Sequence, residues 1–178
     1  MVTGSDRTSE LRLPTKTVAV RLAVLGAAPA AAEMFVADVP GRGHGQLLDD
    51  LAAQLGAAAG FVPVRWAHQV RLLGKHTISW VAVHRSDHDD APVADAAGEP
   101  PEELTLYDRQ HLVEVELMHT GKLVGTLLDS FPADRPRVID HLNRAGPFLR
   151  LWTSTEHYLI NTSQVITVTE VAESTEAT

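Results

Sequence analysis

Residues 84–90, HRSDHDD, place two imidazoles and three carboxylates within seven positions, in a chain of nine histidines and no cysteine. Imidazole with carboxylate is a ligand set for a divalent cation. The lack of thiols excludes disulfides, thiolate zinc sites, iron–sulfur clusters and cysteine nucleophiles. A metal centre needs its ligands held on a rigid frame. His84, Asp87, His88, Asp89 and Asp90 run instead into a hydrophilic stretch that supplies no fixed geometry. The cluster is read as a solvated charge run, and no metal or cofactor is assigned.

Asp140 and His141 are adjacent, a pairing that elsewhere serves acid–base chemistry. On a helix, neighbours project from different faces and need not meet. Asp140 matches Asp49 in the repeat described below, so the aspartates are read as residues that cap or orient a helix. The segment GRGHG at residues 41–45 could cradle an anion ahead of a helix. It lacks the Lys-Ser/Thr of a phosphate loop and the spacing of a dinucleotide fingerprint, so it is read as a flexible connection. Asn161-Thr162-Ser163 has the form of a glycosylation sequon, but no secretion signal accompanies it.

The remaining candidates are aromatic and cationic. Trp66, Trp80 and Trp152 are either half-buried core residues or anchors for a partner, a role in which Trp is favoured. With Arg65 and Arg150 they form the candidate interaction surface. No catalytic residue is assigned.

Elements must position these side chains, and the elements come twice. FVPVRWAHQVRLLGKHTISWVAV (residues 61–83) runs without a gap against FLRLWTSTEHYLINTSQVITVTEV (residues 148–171). Phe61 falls on Phe148, Leu72 on Leu159, Leu73 on Ile160, Gly74 on Asn161, Ile78 on Val165 and Val81 on Val168. Upstream, VAVRLAV (18–24) matches VEVELMH (113–119), MFVADVP (34–40) matches TLLDSFP (126–132), and QLLDDLA (46–52) matches RVIDHLN (137–143). Length differences concentrate in loops, as diverged copies of one fold require.

In the second copy Val113, Val115 and Leu117 alternate with Glu114 and Glu116, the period of a strand with one buried face. Gly121 sits in a turn, where glycine is available for positive φ. Gly125 marks a bend or close approach in the next strand. Pro132 and Pro136 break the ladder. Val138, Ile139 and Leu142 share one face of a short helix that stops near Gly146. Residues 148–153 and 157–171 complete the unit as two or three strands, with Asn161 at a turn position that tolerates the left-handed region.

The expected fold is therefore α+β and mostly β. It is a tandem duplication of a small β-barrel or bent-sheet domain, β-β-α-β-β, with one short helix per copy. The expected divisions are a disordered N-terminus (1–15), a first repeat (16–84), an acidic Pro-containing linker (85–109), a second repeat (110–172) and a frayed tail (173–178). The linker carries seven Asp or Glu between positions 87 and 103 and lacks apolar periodicity, although residues 104–107 could add a short strand.

The second copy resembles a β-β-α-β-β domain pattern of uncharacterised bacterial proteins. The residues that carry the resemblance are Gly125, Asp140-His141-Leu142-Asn143, Phe148 and 159–165, LINTSQV. The first copy departs from the pattern at Glu33, Ala52 and Gly74-Lys75. This resemblance implies a domain and no known activity. GKHTISWV at residues 74–81 more loosely resembles the last strands of the bacterial Sm-like RNA chaperone, which implies a small barrel and nucleic-acid binding. That family lacks the mid-domain helix.

The net charge of −8 argues against general binding to phosphate backbones, short of a local basic patch. Candidate patches are Arg65, Arg71, Lys75 and Arg85 in the first copy, and Lys122, Arg135, Arg137, Arg144 and Arg150 in the second. Duplicated β units without a catalytic constellation point to a non-enzymatic interaction, adaptor or oligomerisation module. Its partner would be another protein or a second copy, reached through strand edges. An Sm-like nucleic-acid or nucleotide binder is the alternative, and a metal-dependent enzyme the next. No run is long and apolar enough for a membrane span, and residues 1–14 lack the apolar core of a signal peptide, so a cytoplasmic location is expected.

Overall fold

The computed structural model describes residues 15–38, 47–85, 109–129 and 137–171. The N-terminal stretch, the 41–45 loop, the acidic stretch 86–108, the break at 130–136 and the tail beyond 171 lie outside the described residues, as do Asp87, His88, Asp89, Asp90 and Arg135.

Strands β1 (Thr15–Val24) and β2 (Ala30–Ala37) form a hairpin and are followed by helix α1 (Leu47–Gly56). Then come β3 (Phe61–Trp66), β4 (Gln69–Gly74), a 3₁₀ turn (Lys75–Thr77) and β5 (Ile78–His84). The later half runs β6 (Arg109–Leu117), β7 (Gly121–Asp129), α2 (Val138–Arg144), β8 (Phe148–Trp152), β9 (Glu156–Asn161), a 3₁₀ turn (Thr162–Gln164) and β10 (Val165–Glu170). The chain is mostly β, with two short helices among the described residues.

These ten strands form one open antiparallel sheet, ordered β10-β6-β7-β8-β9-β5-β1-β2-β3-β4. Within the first half the order is β5-β1-β2-β3-β4, and within the second it is β10-β6-β7-β8-β9. The halves join where β5 pairs with β9. They are therefore held by a strand ladder as well as by the connecting segment.

Alternation builds the strands on either side of the central pair. Val18, Val20 and Leu22 of β1 are buried, as are Met34 and Val36 of β2 and Val113, Val115 and Leu117 of β6. In α1, Leu47, Leu48, Leu51 and Leu55 recur at helical spacing and are all buried. The central strands break this pattern because both of their faces are covered. Ile78, Val81, Val83 and Leu159 join one apolar cluster, with α1 and the β1–β2 hairpin. Trp80, Ala82, Tyr158 and Ile160 join a second, with Val113, Val115, Leu149 and Leu151. The two cores thus lie on opposite faces of β5 and β9.

Gly121 has φ +79°, as its turn position requires. Gly125 is a close approach: a Cβ there would stand 2.6 Å from the carbonyl oxygen of Trp152. Asn161 corrects its expectation. Its backbone is extended, at φ −66° and ψ 115°, and its side chain caps the following 3₁₀ turn by accepting from the Ser163 N–H. The 3₁₀ turn carries the chain from β9 into β10 without a hairpin, so no left-handed residue is needed. Gly74 has nearly the same backbone, at φ −66° and ψ 123°. The left-handed residues are instead Ala67 and His68, which close the β3–β4 hairpin with φ 49° and 65°. Among the described residues no helix is long and apolar enough to cross a membrane.

Candidate functional site

The features with functional geometry are the seam between the halves and the two strand edges that the sheet leaves open. At the seam, Trp80 lies opposite Ile160, Val81 opposite Leu159, Ala82 opposite Tyr158, Val83 opposite His157 and His84 opposite Glu156. Leu159, from the second half, is fully buried in the core of the first. Trp80, from the first half, packs edge-on against Tyr158 at 5.3 Å in the core of the second. Each half completes the other's apolar interior.

Polar contacts fix the register. The Asn161 side-chain amide donates to the carbonyls of Ile78 (2.9 Å) and Lys75 (3.3 Å), tying the two 3₁₀ turns together. Gln164 Nε2 donates to the His76 carbonyl at 3.2 Å. Arg150 of β8 pairs with Asp49 of α1 at 2.6 Å. The Lys75 ammonium is buried and donates to the carbonyls of Gln54 and Ala57 at 2.6 and 2.9 Å, closing the C-terminal end of α1. Burial pushes its pKa down.

A second polar group lies farther along the seam. Arg21 Nη1 of β1 donates to both oxygens of Glu156 on β9 at 2.7 Å. The Tyr158 hydroxyl donates a short hydrogen bond to the same carboxylate. Arg21 also lies over the Trp80 ring, 5.7 Å from its centre. Burial pushes the Glu156 carboxyl up, but hydrogen bonds from Tyr158 and Arg21 outweigh it, and the pKa falls below the usual carboxylate range. Burial, then the bond to Glu156, pushes the Tyr158 hydroxyl up to about 12. These groups stay in one charge state near neutrality, which suits a structural clamp.

The structure separates the expected surface residues. Trp80 is buried at the seam. Trp152 is half-buried, and its ring meets that of His157 at 3.9 Å, tilted by 58°. Trp66 is half-buried on the far side of the first half, with Arg71 5.9 Å from its ring. Arg65 pairs with Glu33 at 2.6 Å and lies over Phe35. Arg150 is the residue that meets Asp49 across the seam. No single patch collects all five. Asp140 lies in the first turn of α2, where a carboxylate suits the helix dipole. His84 ends β5, and its candidate metal partners lie outside the described residues. Among the described residues no three His, Asp or Glu side chains converge on a point.

Two open edges bound the sheet, β4 at one end and β10 at the other. On β4, Leu72 is 71% exposed and Val70 60% exposed. On β10, Ile166 is 54% exposed. Beside β10 a cleft of about 480 Å³ is lined by Arg137, Val138, Ile139, Leu142, Val168 and Glu170. It lies between α2 and the outermost strand, over the second core. Sequence reasoning missed the Arg21–Glu156–Tyr158 group, because β1 and β9 meet only in the folded sheet. It also missed the exposure of Leu72, whose alternation resembles that of any half-buried strand.

No family model, no curated protein and no solved structure matches the chain.

Proposed function

We propose that this protein is a non-enzymatic interaction module that works by strand addition, formed from two diverged copies of one five-stranded unit. Duplication is supported by the recurring strand order, by the 3₁₀ turn between the fourth and fifth strands of each half, and by the ungapped match that places Leu72 on Leu159. On this reading residues 16–84 and 110–172 are the two copies. The observation that carries the function is the contrast between seam and ends. The fifth strand of the first copy and the fourth strand of the second are joined and buried. Their counterparts, β10 and β4, are open and carry exposed apolar side chains.

An open, apolar strand edge is a template for another chain unless charge, proline or a cover protects it. Glu170 and Arg71 flank these edges but do not mask Leu72, Val70 or Ile166. An Sm-like nucleic-acid role has less support, because four of its candidate cations are engaged. Lys75 is buried against α1, Arg65 pairs with Glu33, Lys122 with Glu114 and Arg150 with Asp49.

Affinity capture with the full chain tests the proposal. Wild type recovers a partner, further copies of itself included. A Leu72→Lys/Thr169→Lys variant with an unchanged circular dichroism spectrum and melting temperature loses it. A wild-type protein that is monomeric and captures nothing overturns the reading.

A further inference from the structure

The seam inside the chain is a physical template for a contact between chains. We infer that the open edges serve each other: β4 of one molecule pairs antiparallel with β10 of the next, and Leu72 enters the cleft beside α2. This inference rests on the strand-addition reading and names its partner, a second copy of this chain.

Position-by-position comparison carries it. Leu159 of the seam is fully buried, whereas its counterpart Leu72 is 71% exposed. The core that buries Leu159 includes Leu47, Leu48 and Leu51 of α1 and Val81 of β5, which lies opposite it. Their counterparts by the ungapped match are Val138, Ile139, Leu142 and Val168. All four line the cleft beside β10. Leu48 is 4% exposed, while Ile139 is 55% exposed. The cleft is therefore the place that Leu159 fills in the first half, left unfilled in the second. Leu73, next to Leu72, already packs on its own core, as its counterpart Ile160 does. Period-two alternation then puts Leu72 on the opposite face of the sheet, where its own molecule leaves it uncovered.

The seam also supplies the register. Carrying its pairs over by the same match sets Thr167 opposite Leu73, Val168 opposite Leu72, Thr169 opposite Arg71 and Glu170 opposite Val70. The contact is heterologous, because each molecule offers a different edge to each neighbour. Repetition gives a closed ring or an open filament, not a two-fold dimer of like edges.

It is weaker than the seam for identifiable reasons. Gly74 replaces Asn161 and brings no side-chain amide to the neighbouring turn. Gln69 and Glu116 stand where the seam has Glu156 and Arg21. Assembly is therefore concentration-dependent and reversible, while the seam is permanent.

Natural absence of cysteine makes a clean cross-linking test possible. Two full-length variants, Arg71→Cys and Thr169→Cys, are prepared separately and mixed under mild oxidation. The inference expects disulfide-linked pairs only in the mixture. It also expects wild-type mass in solution to rise with concentration above 19.3 kDa, and Leu72→Lys to hold the mass at that of one chain while its melting temperature is unchanged. Linkage of either variant with itself, which like-edge pairing would produce, overturns the inference. So does a wild-type chain that stays monomeric. A monomer that nevertheless captures a different protein through β4 or β10 overturns self-pairing and leaves the strand-addition reading standing.

Discussion

Asn161 of β9 donates its side-chain amide to the carbonyl of Ile78 at 2.9 Å, across the seam between the halves. The same side chain accepts from the Ser163 N–H at 3.0 Å, so one residue caps its own turn and anchors its neighbour.

Replacing Asn161 by Leu removes the donor and leaves buried carbonyls without it. A buried polar group deprived of its partner costs about 1–3 kcal/mol. Chemical denaturation of the Asn161→Leu variant should show a loss of that size. Asn161→Asp keeps the cap acceptor and loses the cross-seam donor, so it should also destabilise. A stability equal to wild type in both would remove the anchor role.

Leu159 and Leu72 are matched in sequence and opposite in burial, fully buried against 71% exposed. Leu159→Ala should cost about 2–5 kcal/mol, the range for a core leucine truncated to alanine. Leu72→Ala should change the stability of the isolated chain by no more than about 0.5 kcal/mol. Urea midpoints measured at a concentration where the chain is monomeric separate the two.

Tyr158 and Glu156 predict the shape of the stability–pH curve. The Tyr158 pKa is raised from 10.0 to about 12 in the folded chain. Its contribution is therefore complete below pH 10 and is lost as pH climbs through about 12. The Glu156 pKa is lowered. Its contribution is present above the ordinary glutamate pKa and is lost as pH falls through the depressed folded value. Melting temperatures from pH 2 to 12 should show Tyr158→Phe flattening the alkaline limb and Glu156→Gln flattening the acid limb. Unchanged limbs would contradict the clamp.

Gly125 stands where a side chain has no room. A Cβ there would meet the Trp152 carbonyl oxygen at 2.6 Å, and that atom is backbone, which cannot swing aside. Gly125→Ala must part β7 from β8, at a cost of about 1–3 kcal/mol typical of overpacking. Thermal melts of the alanine variant check it.

Much of the element order was legible from local pattern. Val113, Val115 and Leu117 signalled a one-sided strand, Gly121 a turn, Gly125 a close approach and Val138–Leu142 a short helix, each through its nearest neighbours. The left-handed pair Ala67-His68 was not legible, because alanine disfavours positive φ, a single histidine is a weak sign of it, and the tight β3–β4 hairpin is what imposes it. Asn161 was placed at the right turn with the wrong backbone. Its partners Lys75 and Ile78 are far away in sequence, and nothing in its own neighbourhood announces them.

By itself the amino-acid order determined the elements and the likeness of the two halves, since period-two alternation, turn glycines and an ungapped match all act over a few residues. Only the tertiary structure decided that β5 lies against β9, that Arg21 meets Glu156, and that Leu159 is buried while Leu72 is exposed. Matched sequences carry the same apolar side chain at both positions. Which one is covered depends on what the sheet places beside it, and that is a property of the whole fold.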